Sequence, residues 1–461
     1  MLTYELKKQP GLPLYESLYR AIRADILSGK LSPGEKLPSK RALAQNLEVS
    51  KITVEAAYDQ LLSEGYLRSQ EKVGYFVEAV TRPVPAKVPP VHAAPPAEAS
   101  AETERFPFSV WSKLQREVVL DYGEKLLLPM PNTGIPELRA AIARHLGDFR
   151  GMTVDPEDIL VGAGTDFLYN ILIQLLGREL TYGVEDPGYG KIRSIYRAGG
   201  VRCVHIAMDS RGVLPGALSE VDVLHISPSH HYPTGLVTPR DRRLELLRWA
   251  EATGGWIIED DYDSEFRFDA RPLSAMYAMD PERVIYMNSF SKSLAPSIRI
   301  SYLILPKSLM ARFRRELGFY SCTVPSFEQY TLARFLSRGH FEKHINRTRR
   351  ASRARRNRLL DLIRSHPMGE KLTIQEQDAG LHFLLKVQTS LPDSALTACL
   401  MAEGIRFPAL SSFFYEKKED LHTLVVSYSG LKEETMEKAL DVLYRSTMDD
   451  RQSSAAFVGR E

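Results

Sequence analysis

Residues 289–299 read SFSKSLAPSIR: one lysine, Lys292, sits among three small hydroxyl residues, and Arg299 follows seven positions later. Hydroxyls and a guanidinium are the donors that a phosphate group takes up, the guanidinium through two charge-assisted bonds at once. An amine held beside them is a candidate nucleophile. A Lys-Ser pair alone is more often surface than catalytic, so the meaning of the stretch rests on what surrounds it. Just upstream, RVIYMNS (283–289) is an apolar run with the length of a buried strand.

Runs of the same kind recur as DILVGA (158–163), VDVLHIS (221–227) and GWIIED (255–260), alternating with helical stretches. They predict parallel strands buried on both faces, hence an α/β sandwich from about Phe106 onward. Several end in loops of chemical character. VGAGTDF puts Gly164 and Thr165 at a helix start, where backbone N–H groups can seat a phosphate. EDPGYG carries Tyr189 in a turn, SPSHHYPTG forms another junction, and IIEDDYDSEF gathers acids at a strand end.

The composition, 44% hydrophobic and 26% charged over 461 residues, is that of an average globular protein with roughly three units. Cys203, Cys322 and Cys399 form no CxxC pair, which fits a reducing cytoplasm and argues against a disulfide scaffold or structural zinc. The opening MLTYELKKQPGLPLYESL lacks the apolar core of a signal peptide. No run of about 18 apolar residues predicts a membrane span. The net charge of +2 points to no partner class.

Residues 79–104, rich in proline and alanine, cannot bury a core and favour an extended spacer. They separate a module over 1–78 from a larger one over 105–450, with a disordered tail expected at 451–461. In the small module Leu14, Leu18, Ile22 and Ile26 predict an amphipathic helix ending at Gly29. Ser39 caps a second helix carrying Leu43, Ala44 and Leu47. Ser50 caps a third, with Val54, Ala57 and Leu61 inward and Glu64-Gly65 closing it. YLRS and GYFVEA around QEKV read as a hairpin, which completes a winged helix-turn-helix.

The string LPSKRALAQNLEVSKITVEAAYDQLLSEGYL, residues 37–67, closely resembles the DNA-binding domain of the GntR family of bacterial regulators. Ser50, Lys51 and Thr53 stand at the third helix's N-terminus, where amides and the dipole meet phosphates. The resemblance implies base or phosphate contacts on a double-stranded DNA operator for Arg41, Lys51 and Thr53, and minor-groove approach at the wing glycine, Gly74. Lys51 replaces the family's usual arginine and lacks the fork that reads guanine bidentately. With 11 basic and 10 acidic residues over 1–78, DNA binding rests on placement and not on bulk charge.

The larger module is similar to the fold type I pyridoxal 5′-phosphate enzymes, the aminotransferase superfamily, from about Phe108 to Leu443. GIPELRAAIARHL (134–146) and AGLHF (379–383) extend that match. A GntR head on such a body is the architecture of the MocR subfamily. The resemblance implies that Lys292 bonds to the cofactor aldehyde, which calls for a desolvated amine. It implies that Asp260 pairs with the pyridine nitrogen, with Asp261 as the rival assignment. Asp260 is preferred, because neighbours two apart on a strand share a side and Tyr262 is expected at the phenolic oxygen. Tyr189 would stack on the ring. Ser289, Ser291, Arg299 and the amides of Ala163, Gly164 and Thr165 would share the phosphate.

Two departures bear on activity. Tyr232 stands where classical aminotransferases have asparagine, as also occurs in MocR-type proteins. Val425, in LVVSYSG, occupies the place of the late-strand arginine that clamps a substrate carboxylate. Its loss removes a contact worth about 1.5–3 kcal/mol, with Arg406 as the nearby candidate to compensate. The stretch 338–358 holds nine Lys and Arg against one acid, read either as a solvated helix face or as a phosphate-contacting surface. Two functions stay open. One is a transcription regulator sensing pyridoxal phosphate or an amino compound, acting as a head-to-tail homodimer. The other is a working aminotransferase with a DNA-binding head.

Overall fold

The structure, a computed structural model, describes residues 3–4, 6, 13–79, 106–266, 274–376, 380–416 and 419–458. The chain divides into two compact units, Met1–Pro96 and Ala97–Glu461. Of the expected spacer 79–104, all but Ala79 lies outside the described residues.

In the first unit α1 (Leu14–Ser28) stops at Gly29, whose φ of 78° is open to glycine without a Cβ clash. Ser39 caps α2 (Lys40–Asn46) by accepting from the Ala42 amide at 3.2 Å. Ser50 caps α3 (Lys51–Ser63) by accepting from the Thr53 amide at 3.1 Å. Strands β1 (Leu67–Gln70) and β2 (Gly74–Val77) pair antiparallel. The hairpin turn is shorter than QEKV because Gln70 itself pairs with Gly74. Leu18, Ile22, Leu43, Val54, Tyr58 and Leu61 close the core. Cutting Leu61 to alanine there costs about 2–5 kcal/mol, a large share of a small domain's stability.

The second unit is built on one eight-stranded sheet. Its members are β3 (Ile159–Gly162), β4 (Thr181–Asp186), β5 (Arg202–Asp209), β6 (Gly212–Val213), β7 (Val223–Ile226), β8 (Trp256–Asp260), β9 (Val284–Ser289) and β10 (Ser301–Ile304). Their order is β3-β10-β9-β8-β7-β4-β5-β6. Strands β5, β4, β7, β8 and β9 run parallel. The all-parallel expectation fails at β10, which is antiparallel to both neighbours, and at the two-residue β6. Length explains β10: only residues 290–300 join it to β9, fewer than a parallel crossover needs. Helices Phe108–Tyr122, Pro136–Arg150, Arg240–Thr253 and Ser326–Ser337 cover one face. Helices Thr165–Leu176, Gly190–Ala198 and Lys307–Glu316 cover the other, so the strands are buried on both sides.

Helix His340–Ser365 leads into a separate core. There β11 (Leu372–Gln375), β12 (His382–Val387) and β13 (Thr423–Ser427) form an antiparallel sheet. Leu359, Phe383, Leu396, Val426 and Leu440 pack around it. The basic stretch lies on this helix, with Phe341, His344, Ile345, Thr348 and Ser352 buried and Lys343, Arg347 and Arg350 exposed. Exposed cations of this kind are what both readings of the stretch require, a solvated face and a phosphate-contacting surface. Residues 451–458, expected in a disordered tail, continue the backbone of helix Glu433–Val458. No helix among the described residues is long and apolar enough to cross a membrane.

Candidate functional site

A cleft of about 520 Å³ opens at the carboxyl ends of β4, β7, β8 and β9, where open α/β sheets bind ligands. Thr165, Tyr189, Asp260, Tyr262, Ser289, Ser291, Lys292 and Arg299 all line it. Ala163 and Gly164 do not. Their amides donate to Thr323 Oγ1 and to the Gly162 carbonyl, both at 2.9 Å, so they are engaged within the protein. Gly164 has a different use. A Cβ there would stand 2.3 Å from Arg299 Nη2, and its φ of 90° also excludes larger residues.

Asp260 and Asp261 face opposite ways at the end of β8. Tyr169 Oη donates to Asp260 Oδ2 at 2.8 Å, His225 Nε2 stands 3.7 Å from the same oxygen, and buried Oδ1 has no hydrogen-bond partner. Asp261 instead meets Arg150 Nη2 at 3.0 Å and accepts from Tyr286 Oη at 2.6 Å, away from the cleft. Strand alternation dictates this split, and it places Tyr262 on the cleft side with Asp260. Tyr262 Oη lies 3.4 Å from His230 Nδ1, which is 2.7 Å from Asp263 Oδ2. Burial pushes the Tyr169 and Tyr262 phenols well above their ordinary range, so both stay protonated.

Lys292 sits in the short helix Phe290–Ser293 and is exposed. The desolvation expected of a nucleophilic amine is therefore not met in the single protomer, whose cleft leaves this side chain open to water. Ser289 Oγ accepts from the Ser291 amide at 3.1 Å and from Ser301 Oγ at 2.9 Å, which fixes the hydroxyl at the strand end. Arg299, in a left-handed conformation at φ 51°, reaches Asp166 Oδ2 at 3.3 Å, and Lys191 holds the same carboxylate at 2.8 Å.

Sequence reasoning passed over several lining groups. Tyr169 comes one helical turn after Thr165, and His225 interrupts the apolar strand β7; both spacings were legible signals. Glu185, largely buried at the end of β4, accepts from the Ser227 amide at 3.0 Å, and burial pushes its carboxyl up to about 8. His382, whose Nε2 donates to the Pro233 carbonyl at 3.0 Å, is held down to about 3 by burial. Val425 is buried at 2% exposure on β13, two residues before cleft-lining Ser427 and on the same face. Arg406 is exposed and does not line the cleft.

In the first unit Arg41, Ser50 and Lys51 are exposed and Thr53 half-buried, with Ser50, Lys51 and Thr53 forming the first turn of α3. Lys40 is taken up by Glu55 and Asp59 at 3.0 and 3.1 Å. Gly74 has a φ of 138° and a Cβ there would stand 3.0 Å from Lys36 Cε. One residue was missed: Ile52, 76% exposed beside Lys51, offers an apolar surface of the kind that meets a thymine methyl. Among the described residues no group of three or more His, Cys, Asp or Glu could hold a metal.

Comparison with known proteins covers both units. Residues 14–77 match the bacterial regulatory proteins of the gntR family, and residues 100–443 match aminotransferase class I and II. The chain is 32% identical to the probable rhizopine catabolism regulatory protein MocR of Rhizobium meliloti, over 98% of this chain and 97% of that one. It is also 32% identical to the HTH-type pyridoxine biosynthesis transcriptional regulator PdxR of Corynebacterium glutamicum, over 91% and 92%. Among solved structures it is similar to a multiple substrate aminotransferase from Thermococcus profundus, at 22% identity, TM-score 0.66, and 76% and 90% coverage. That likeness speaks to the fold alone.

Proposed function

The chain belongs to the MocR subfamily of GntR-type regulators, a DNA-binding head joined to an aminotransferase-like body, and from that premise we propose that it regulates transcription by sensing pyridoxal 5′-phosphate or a compound that reacts with it. The cofactor is pyridoxal 5′-phosphate, and the cleft fits it. Asp260 Oδ1, buried and without a partner, is the observation that carries the reading, because it provides the one acceptor a protonated pyridine nitrogen needs. The space kept open over Gly164 for Arg299 matches a phosphate anchor.

Each residue then has a task. Lys292 would supply the amine for the cofactor's aldehyde. Asp260, held by Tyr169, would keep a proton on the ring nitrogen. Tyr262, protonated through burial, would serve as a donor to the ring oxygen. Thr165, Ser289, Ser291 and Arg299 would hold the phosphate, with exposed Tyr189 beside the ring. When bound, the cofactor supplies an aldehyde and an electron-withdrawing ring.

Sensing outranks turnover because buried Val425 offers no charge to a substrate carboxylate. The complete set of Lys292, Asp260 and Tyr262 supports a second reading, slow aminotransferase chemistry. Exposed Phe108, Leu120, Leu127 and Phe319 support a homodimer of the body, which would bring two heads to two half-sites in the cytoplasm. The relative PdxR bears pyridoxine biosynthesis in its name, which makes vitamin B6 genes the first targets to test. A footprint of the full chain on such a promoter, with and without pyridoxal phosphate, tests the proposal. A pattern unmoved by the cofactor counts against it.

A further inference from the structure

Behind the cleft lies a buried pair that neither the cofactor nor DNA binding uses. Arg150 is the last residue of helix Pro136–Arg150, and its side chain is 1% exposed. Its Nη2 stands 3.0 Å from Asp261 Oδ2 and donates to Ser229 Oγ at 3.1 Å. Tyr286 Oη donates to the same Asp261 oxygen at 2.6 Å. Ser229 follows β7, Asp261 follows β8, and Tyr286 lies on β9. On the cleft side these three segments carry Ser227 and Tyr232, Asp260 and Tyr262, and Ser289 with Lys292. Arg150 thus ties the ends of β7 and β8 directly from behind the cleft, and reaches β9 only through Asp261 and Tyr286. Burial opposes the charge on Arg150, but the Asp261 carboxylate overrides it and keeps the guanidinium charged.

We propose that Arg150 is the positioning residue of the cofactor cleft. Through Asp261 and Ser229 it fixes the direction in which Asp260 and Tyr262 present their polar atoms. The geometry requires this linkage to act across the strand: Asp260 and Tyr262 flank Asp261 and point to the opposite side. A backbone rotation at Asp261 that broke its bonds to Arg150 and Tyr286 would also redirect its two neighbours. Both contacts are made by one nitrogen, Nη2, while Nε and Nη1 are buried without a hydrogen-bond partner, so the task rests on the reach and permanent charge of the arginine side chain. The proposal rests on the reading that the cleft holds pyridoxal phosphate.

The test uses the full chain in four forms: wild type, Arg150→Met, Arg150→Lys, and the charge-balanced pair Arg150→Met with Asp261→Asn. Thermal melting, pyridoxal phosphate affinity and the pH profile of the bound cofactor's visible absorption are read for each. Arg150→Met leaves a buried charge unpaired and is expected to lower the melting temperature. The balanced pair is expected to recover melting, yet to bind cofactor on the order of a hundredfold more weakly and with a displaced pH profile. Arg150→Lys is expected to fall between wild type and the pair. A balanced pair that recovers affinity and pH profile together with melting makes Arg150 merely structural and overturns the proposal alone. A wild type without a visible band overturns the cofactor reading and this proposal with it.

Discussion

Tyr169 and Asp260, ninety-one residues apart, are joined by a hydrogen bond of 2.8 Å that satisfies one carboxylate oxygen and leaves the other buried without a hydrogen-bond partner. The phenol is anchored in the helix Thr165–Leu176 and the carboxylate in β8. Tyr169→Phe should weaken pyridoxal phosphate binding about ten- to a hundredfold, the worth of one hydrogen bond to a charged group. Asp260→Asn should weaken it further. Equilibrium titration of the absorption change measures both, and an Asp260→Asn variant that binds like wild type would refute the pairing.

Lys292→Ala should retain the melting behaviour of the wild type, because the side chain is exposed. It should lose the visible absorption band that the cofactor gives when bonded to an amine. An unchanged band in the variant would move the reactive amine elsewhere in the chain.

At β13, common α-amino acids should convert the bound cofactor slowly and only at high concentration. Val425→Arg should raise that reactivity about ten- to a hundredfold if the face it shares with Ser427 addresses the ligand. Single-turnover spectra with alanine or glutamate decide the matter, and fast conversion by the wild type would favour the enzyme over the sensor.

For the head, Lys51→Ala should reduce the slope of log affinity against log salt by about 0.9 per phosphate released. If the lysine touches only phosphate, operator and random DNA should weaken alike. Ile52→Ala should instead narrow the preference for operator over random duplex, since its exposed side chain can address only a base or sugar edge. Equal losses on both DNAs for Ile52→Ala would remove it from base readout.

Stability should fall as pH rises from about 6.5 to 8. Burial raises the Glu185 and Glu265 carboxyls to about 8, so the folded state holds protons that the unfolded state has released above about 4.3. Their stabilising contribution is whole below the unfolded value and is lost through pH 8. His231 and His382, held down to about 3, act with the opposite sign but only below about 6.5. Glu185→Gln should flatten the slope between pH 6.5 and 8 and leave a more stable protein at pH 8, as urea denaturation at several pH values would register.

Much of this was legible in the residues. The helix caps at Ser39 and Ser50 and the stop at Gly29 follow from local hydrogen bonding and backbone freedom, so the head could be placed closely. Strands such as β7 and β9 announced themselves as short apolar runs. The choice between Asp260 and Asp261 needed the partners on the far side, Arg150 and Tyr286, which lie 111 and 25 residues away from Asp261 and carry no local signal. The engagement of the Ala163 amide by Thr323 is likewise a long-range fact. The antiparallel direction of β10 was written in the shortness of residues 290–300, and the apolar pattern obscured it.

That short return between β9 and β10 has a consequence for how such a protein can diverge. Lys292 and Arg299 lie on one loop whose two ends are stitched to each other, Ser289 opposite Ser301. The groups proposed to hold the cofactor therefore belong to the eight-stranded sheet and its adjoining turns. His382 and Ser427, by contrast, stand on the three-stranded sheet, with Phe413 and Tyr415 in the segment leading to it. Substitutions in that second group can retune which compound is recognised while the grip on the cofactor stays fixed. A lineage can thus exchange its signal without rebuilding its receptor.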